Sequence, residues 1–169
     1  MNKKINNDSH QLKELIIDVS KSRKLHGRKS KRHITPVPLL KPVHFDGSVN
    51  LLFVEDNVFN QELATFILDK IGCCVDIAND GNEAIEILRS KSYDLILMDI
   101  NMPGLDGYET TRTLREHLVI ETPIVAFTTN VLEEDIQRCL ECGMNDHLGK
   151  PYTEQQLSSI IYKWTRGNR

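Results

Sequence analysis

Residues 93–109 read YDLILMDINMPGLDGYE. Leu95, Ile96, Leu97 and Met98 form an unbroken apolar run closed by Asp99. A run without polar alternation suits a strand covered on both faces, as in the middle of a parallel sheet. Pro103-Gly104 then turns the chain, and GYETTRTLREH, starting at Gly107, predicts a helix. One strand and one helix thus follow each other across a short loop.

The same unit recurs on either side. VNLLFVED, from Val49, is an apolar run ending in acids. Behind it, Val58, Leu63, Phe66, Ile67, Leu68 and Ile71 predict a helix over 57–71 stopped by Gly72. CCVDIA predicts a second strand, and DGNEAIEILRS a second helix starting near Asp80 or Gly81. Downstream, TPIVAFTT predicts a fourth strand and VLEEDIQRCLECG a fourth helix ended by Gly143. NDHLGK predicts a short fifth strand, and TEQQLSSIIYKWTR a closing helix. Five alternations of strand and helix predict a doubly wound α/β domain with a parallel sheet.

Residues 1–48 are of another kind. Residues 1–50 hold 11 Lys/Arg against 4 Asp/Glu, whereas residues 51–169 hold 10 against 20. Leu12, Leu15, Ile16 and Val19 predict a short amphipathic helix over 9–20, at a length that needs a partner surface. KSRKLHGRKSKRH at 21–33 is a basic run, and residues 34–48, with Pro36, Pro38 and Pro42, read as an extended linker. The expected organisation is a tail over 1–48 and a globular domain over 49–169. The basic run attracts polyanions electrostatically, but it lacks interleaved aromatics, so a nucleic-acid partner is not expected. No run of about 18 apolar residues occurs, and the N-terminus lacks the apolar core of a signal peptide, so a cytoplasmic protein is expected. Cys73, Cys74, Cys139 and Cys142 then read as reduced, buried small hydrophobes rather than zinc ligands.

Chemistry in such sheets gathers where strands end. The first strand ends in Glu55-Asp56, the third in Asp99, the fourth in Thr128 and the fifth in Lys150-Pro151. Three carboxylates in one crevice repel one another unless a cation neutralises them. Oxygen ligands of this kind suit Mg²⁺ together with a phosphate. Asp99 is then placed as a nucleophile forming an acyl-phosphate, with Lys150 and Thr128 ready for the oxygens of the transferred phosphoryl group.

Residues 50–167 resemble the receiver domain of two-component response regulators, particularly receivers joined to hybrid histidine kinases. The resemblance rests on LLFVEDN, YDLILMDINMPGLDGYE, TPIVAFTTN and GMNDHLGKPY, in that order. It implies a flavodoxin-like sheet of order 2-1-3-4-5, and Mg²⁺-dependent phosphotransfer from a histidine kinase or a histidine phosphotransfer protein. By the same resemblance Asp99 is the phosphorylated residue, Glu55 and Asp56 are the acidic pair, and Asp56 is a direct metal ligand. Asn101 lends its backbone carbonyl to the metal, Thr128 is the switch hydroxyl and Lys150 binds phosphate. Pro151 takes a cis bond, Met102, Pro103 and Gly104 shape the turn after the acceptor, and Asn130 tunes hydrolysis. Phosphorylation is expected to act on the surface of the fourth helix, fifth strand and fifth helix.

One position departs from the family pattern. Three residues before Lys150, where the family often has Tyr or Phe, stands His147. Either the substitution weakens or reroutes switching, or it makes the switch titratable near neutrality. Residues 1–48 are too short for a kinase core, and there is no Gly-rich ATP lid, so the chain is expected to be a phosphoacceptor and not a kinase. No output domain is expected after the closing helix. The downstream partner is not legible.

Overall fold

Five strands, β1 (Asn50–Val54), β2 (Cys74–Ala78), β3 (Leu95–Asp99), β4 (Ile124–Thr128) and β5 (Asp146–Gly149), form one parallel sheet in the order 2-1-3-4-5. The computed structural model describes residues 42–129 and 132–166. The helix expected at 9–20, the basic run, the linker before residue 42 and Asn130 lie outside them. Five helices alternate with the strands: α1 (Val58–Lys70), α2 (Gly81–Leu88), α3 (Gly107–Glu116), α4 (Glu133–Glu141) and α5 (Glu154–Thr165).

Alternation along the strands divides the core in two. Leu51, Phe53, Leu95, Leu97, Val125, Phe127 and Leu148 face α1 and α5. Leu52, Val54, Ile96, Met98, Ile124 and Ala126 face α2, α3 and α4. The three inner strands therefore bury both faces, which is why their sequences carry no polar alternation. Each fully buried side chain of this size contributes about 1.5–3 kcal/mol.

Local chemistry starts the helices. Asn57 Oδ1 accepts from the N–H groups of Phe59 and Asn60, Asp80 from Glu83, and Asp106 from Glu109. Thr153 and Gln156 form a reciprocal capping box at α5. The start of α4 has no side-chain cap and instead carries Glu133, Glu134 and Asp135 in its first turn.

Two expectations are corrected. The packed structure starts before Val49: Phe45 is buried, and its N–H donates to the Ile71 carbonyl at 2.7 Å. Gly47 N–H donates to the Gly72 carbonyl, and Val43 N–H to Ser158 Oγ at 3.3 Å. Residues 42–48 are thus a strap across α1, α5 and the turn into β2 rather than a free linker. Gly72 makes room for it, because a Cβ there would land on the Phe45 carbonyl. Its φ of +82° also suits glycine. Of the four cysteines, Cys73, Cys139 and Cys142 are buried, but Cys74 is exposed. It opens the edge strand β2, where the side chain turns outward and Sγ donates to the Gly47 carbonyl.

Among the described residues, no helix is long and apolar enough to cross a membrane.

Candidate functional site

Parallel pairing sets the C-terminal strand ends side by side. Val54 pairs with Met98, Asp99 with Phe127 and Thr128 with Gly149. Residues one step beyond these pairs share one edge of the sheet.

There the carboxylates of Glu55, Asp56 and Asp99 converge, each offering an oxygen within 4.8 Å of the others. Glu55 is 0% exposed, Asp99 is 5% exposed and Asp56 is open to solvent. Lys150 reaches in from the end of β5, its Nζ 2.6 Å from Glu55 Oε2 and 3.1 Å from Asp99 Oδ2. Asp99 Oδ1 accepts from the Asn101 N–H at 3.3 Å. Burial pushes the Asp99 carboxyl above the usual carboxylate range, Lys150 opposes the shift and the charge of Glu55 adds to it.

Thr128, at the end of β4, is buried, and its carbonyl accepts from the Lys150 N–H at 2.7 Å. The Lys150-Pro151 bond is cis. Tyr152, next in the chain, stacks edge-on against Phe127 at 4.9 Å between ring centroids. Burial, and then the charges of Glu55 and Asp99, hold its phenol well above the ordinary value. Behind the acceptor, a Cβ on Gly107 would collide with the Asp99 carbonyl, so this glycine lets α3 start directly against the end of β3.

The structure therefore brings Glu55, Asp56, Asp99 and Lys150 together and sets Thr128 and Asn101 at the same edge. His147 lies elsewhere. It is half-buried within β5, and its Nδ1 stands 3.9 Å from Asp146 Oδ1, to which its own N–H also donates.

The sequence reasoning missed the residues that hold Glu55. Asn60 Nδ2 donates to Glu55 Oε1 at 2.9 Å, and the Asn57 N–H donates to the same oxygen at 3.3 Å. Gln61 Nε2 donates to the Glu55 carbonyl at 2.6 Å and to Asn79 Oδ1 at 3.0 Å. The available signal was two adjacent amides in the opening of a helix that follows an acidic strand end.

An all-oxygen donor set with one open carboxylate fits a hard divalent cation. Known proteins carry the comparison further. The model of the response regulator receiver domain matches residues 51–162. Transcription factor SKN7 of Saccharomyces cerevisiae is 39% identical over 133 residues, which cover 79% of this chain and 21% of that protein. The chain thus spans about a fifth of that relative's length. Among solved structures, the receiver domain of sensor histidine kinase PA1611 from Pseudomonas aeruginosa PAO1 is 39% identical, with a TM-score of 0.63. That match covers 69% of this chain and 97% of the other, whose active site cleft holds a magnesium ion. A chain in the co-crystal structure of the Saccharomyces cerevisiae histidine phosphotransfer protein Ypd1 with the receiver domain of Ssk1 is 31% identical. It covers 72% of this chain and 91% of its own length, with a TM-score of 0.64. Since the family model runs from β1 into α5 and takes in every strand end described above, this chain belongs to the family of response regulator receiver domains.

Proposed function

We propose that Asp99 accepts a phosphoryl group from a phosphohistidine, with Mg²⁺ held by Asp56, Asp99 and the main-chain carbonyl of Asn101 beside the buried Glu55. The observation that carries this reading is the meeting of three carboxylates with Lys150 Nζ at 3.1 Å from Asp99 Oδ2. When bound, the ion supplies positive charge against the carboxylates and the peripheral phosphoryl oxygens.

The chain's own residues do the rest. An Asp99 carboxylate oxygen attacks phosphorus, forming a P–O bond as the P–N bond to the donor imidazole breaks. The imidazole leaves with that electron pair and takes a proton from solvent. Lys150 exchanges its contact with Asp99 for one to a phosphoryl oxygen, and Thr128 supplies a hydroxyl to another. Because the Thr128 carbonyl already accepts from the Lys150 N–H, a shift at the end of β4 is felt at once in β5. That coupling supports a switch read on α4, β5 and α5, with His147 at the β5 position. The Ypd1–Ssk1 pairing supports a histidine phosphotransfer protein or a histidine kinase as donor.

The test is incubation with Mg²⁺ and acetyl phosphate or phosphoramidate, followed by intact-mass spectrometry. The wild type is expected to gain one base-labile phosphoryl group, and Asp99→Asn none. Equal labelling of both proteins would defeat the assignment.

A further inference from the structure

We propose that Asn60 is a positioning residue of the acidic site, acting through Glu55; this rests on the reading of the site as a Mg²⁺-dependent phosphoacceptor. Glu55 is fully buried, and its two carboxylate oxygens are divided between partners of different kinds. Oε2 takes the ammonium of Lys150 at 2.6 Å, and Oε1 takes the amide of Asn60 at 2.9 Å. Asn60 is itself fixed. It sits in the first turn of α1, half-buried, and its N–H donates to Asn57 Oδ1 at 3.3 Å. Its neighbour Gln61 holds the Glu55 carbonyl, so side chain and main chain of the glutamate are gripped by successive residues.

A neutral amide suits this place. A second ammonium would cancel the negative charge that a cation needs, and a carboxylate would repel Glu55. The amide fixes the carboxylate's orientation and leaves its charge intact. Without Asn60, Oε1 loses its side-chain donor, and the Glu55 carboxylate is left to turn further onto Lys150. Its charge then no longer faces Asp56 and Asp99. Partners that orient charged groups around a metal commonly matter about tenfold or more to affinity.

The experiment measures Mg²⁺ binding by isothermal titration calorimetry on the full chain, for wild type, Asn60→Ala and Asn60→Leu. The leucine variant keeps the branched outline of the side chain without its hydrogen-bonding groups and favours helix, and metal-free thermal unfolding verifies that each protein is folded. Both variants are expected to bind Mg²⁺ about tenfold more weakly. In a Glu55→Gln background Asn60→Ala is expected to change the affinity by less than about twofold, since the two residues act as one unit. With acetyl phosphate, the Mg²⁺ concentration for half-maximal labelling of Asp99 should rise in Asn60→Ala, while the rate at saturating Mg²⁺ stays within about threefold. Unchanged affinity in both Asn60 variants would overturn the proposal, as would the full loss persisting in Glu55→Gln. Wild-type protein that binds no Mg²⁺ would overturn the proposal together with the reading of the site. Mg²⁺ binding without labelling of Asp99 would overturn that reading, and with it the role of Asn60 in phosphotransfer.

Discussion

Lys150 and Glu55, 95 residues apart in the chain, meet at 2.6 Å with the carboxylate fully buried. The same ammonium serves Asp99, so one lysine stands against two buried acids. Removing one partner of such a set leaves uncompensated charge, which costs more than the intact pair contributes. Lys150→Met is expected to lower stability in urea titrations by about 3 kcal/mol, at the low end for a broken buried pair because the lysine retains some solvent. Adding Glu55→Gln should recover part of that loss. Mg²⁺ should stabilise Lys150→Met more than wild type, since the cation takes over the role of the ammonium. Identical unfolding midpoints for wild type and Lys150→Met would sink this account.

The strap of residues 42–48 is expected to contribute to stability although it lies before the first strand. Phe45 is buried against Ile71 and lies beneath the Arg166 guanidinium, 5.7 Å from ring centroid to Cζ, and Arg166 also pairs with Asp46 at 3.1 Å. Phe45→Ala should cost about 2 kcal/mol, below the usual range for a central phenylalanine because the site lies at the rim. Gly72→Ala should cost at least as much, combining a left-handed backbone with a collision against the Phe45 carbonyl. Chemical denaturation of the two variants checks both values. A Phe45→Ala protein as stable as wild type would mean that the strap rests on the domain without supporting it.

These two cases mark what the sequence made legible. Strand ends were readable because burial on both faces forces continuous apolar runs, so Asp99, Glu55-Asp56, Thr128 and Lys150 stood out as the polar residues that close them. The strap was not readable, because Val43 and Phe45 follow a proline-rich stretch with no periodicity and are fastened through main-chain N–H groups, Val43 to Ser158 Oγ and Phe45 to the Ile71 carbonyl. Asn60 and Gln61 lie in VFNQELATFIL, where polar residues on an amphipathic helix are the default for a solvated face. Only three-dimensional placement shows that both turn back onto Glu55. Cys74 was read as core for its small apolar side chain, although the order 2-1-3-4-5 implied by the resemblance already sets β2 at the sheet edge, where the first residue of the strand can turn outward.

Acid sensitivity should centre partly on Asp146. Burial alone would raise its carboxyl, but hydrogen bonds from Lys163, from Trp164 Nε1 at 2.9 Å and from the His147 N–H outweigh it and hold the group below the ordinary carboxylate value. A folded value lower than the unfolded one means that the contribution to stability is complete above about pH 4 and is lost as pH falls through the folded value. Asp146→Asn should therefore flatten the acid limb of a stability–pH curve while costing about 1 kcal/mol at neutral pH. Trp164 fluorescence during urea unfolding at a series of pH values reports both effects. A variant with the same acid limb as wild type would exclude Asp146 as a contributor.

Val119 offers a test in the stabilising direction. It lies between α3 and β4 with φ of +53° and 72% of its surface exposed, an unfavourable backbone for a β-branched residue with little packing in return. The turn it makes lets the Ile120 N–H reach the Leu114 carbonyl at 2.9 Å, so the left-handed conformation closes the end of α3 and has to be kept. Asparagine tolerates that conformation and glycine adopts it freely, but glycine also gains freedom in the unfolded chain. Val119→Asn should therefore raise stability by about 1 kcal/mol, and Val119→Gly by less. Differential scanning calorimetry should show the melting temperature of Val119→Asn higher by about 2–6 °C, with labelling of Asp99 unchanged. A melting temperature at or below the wild-type value for both variants would mean that Val119 earns its place through contacts and not despite its backbone.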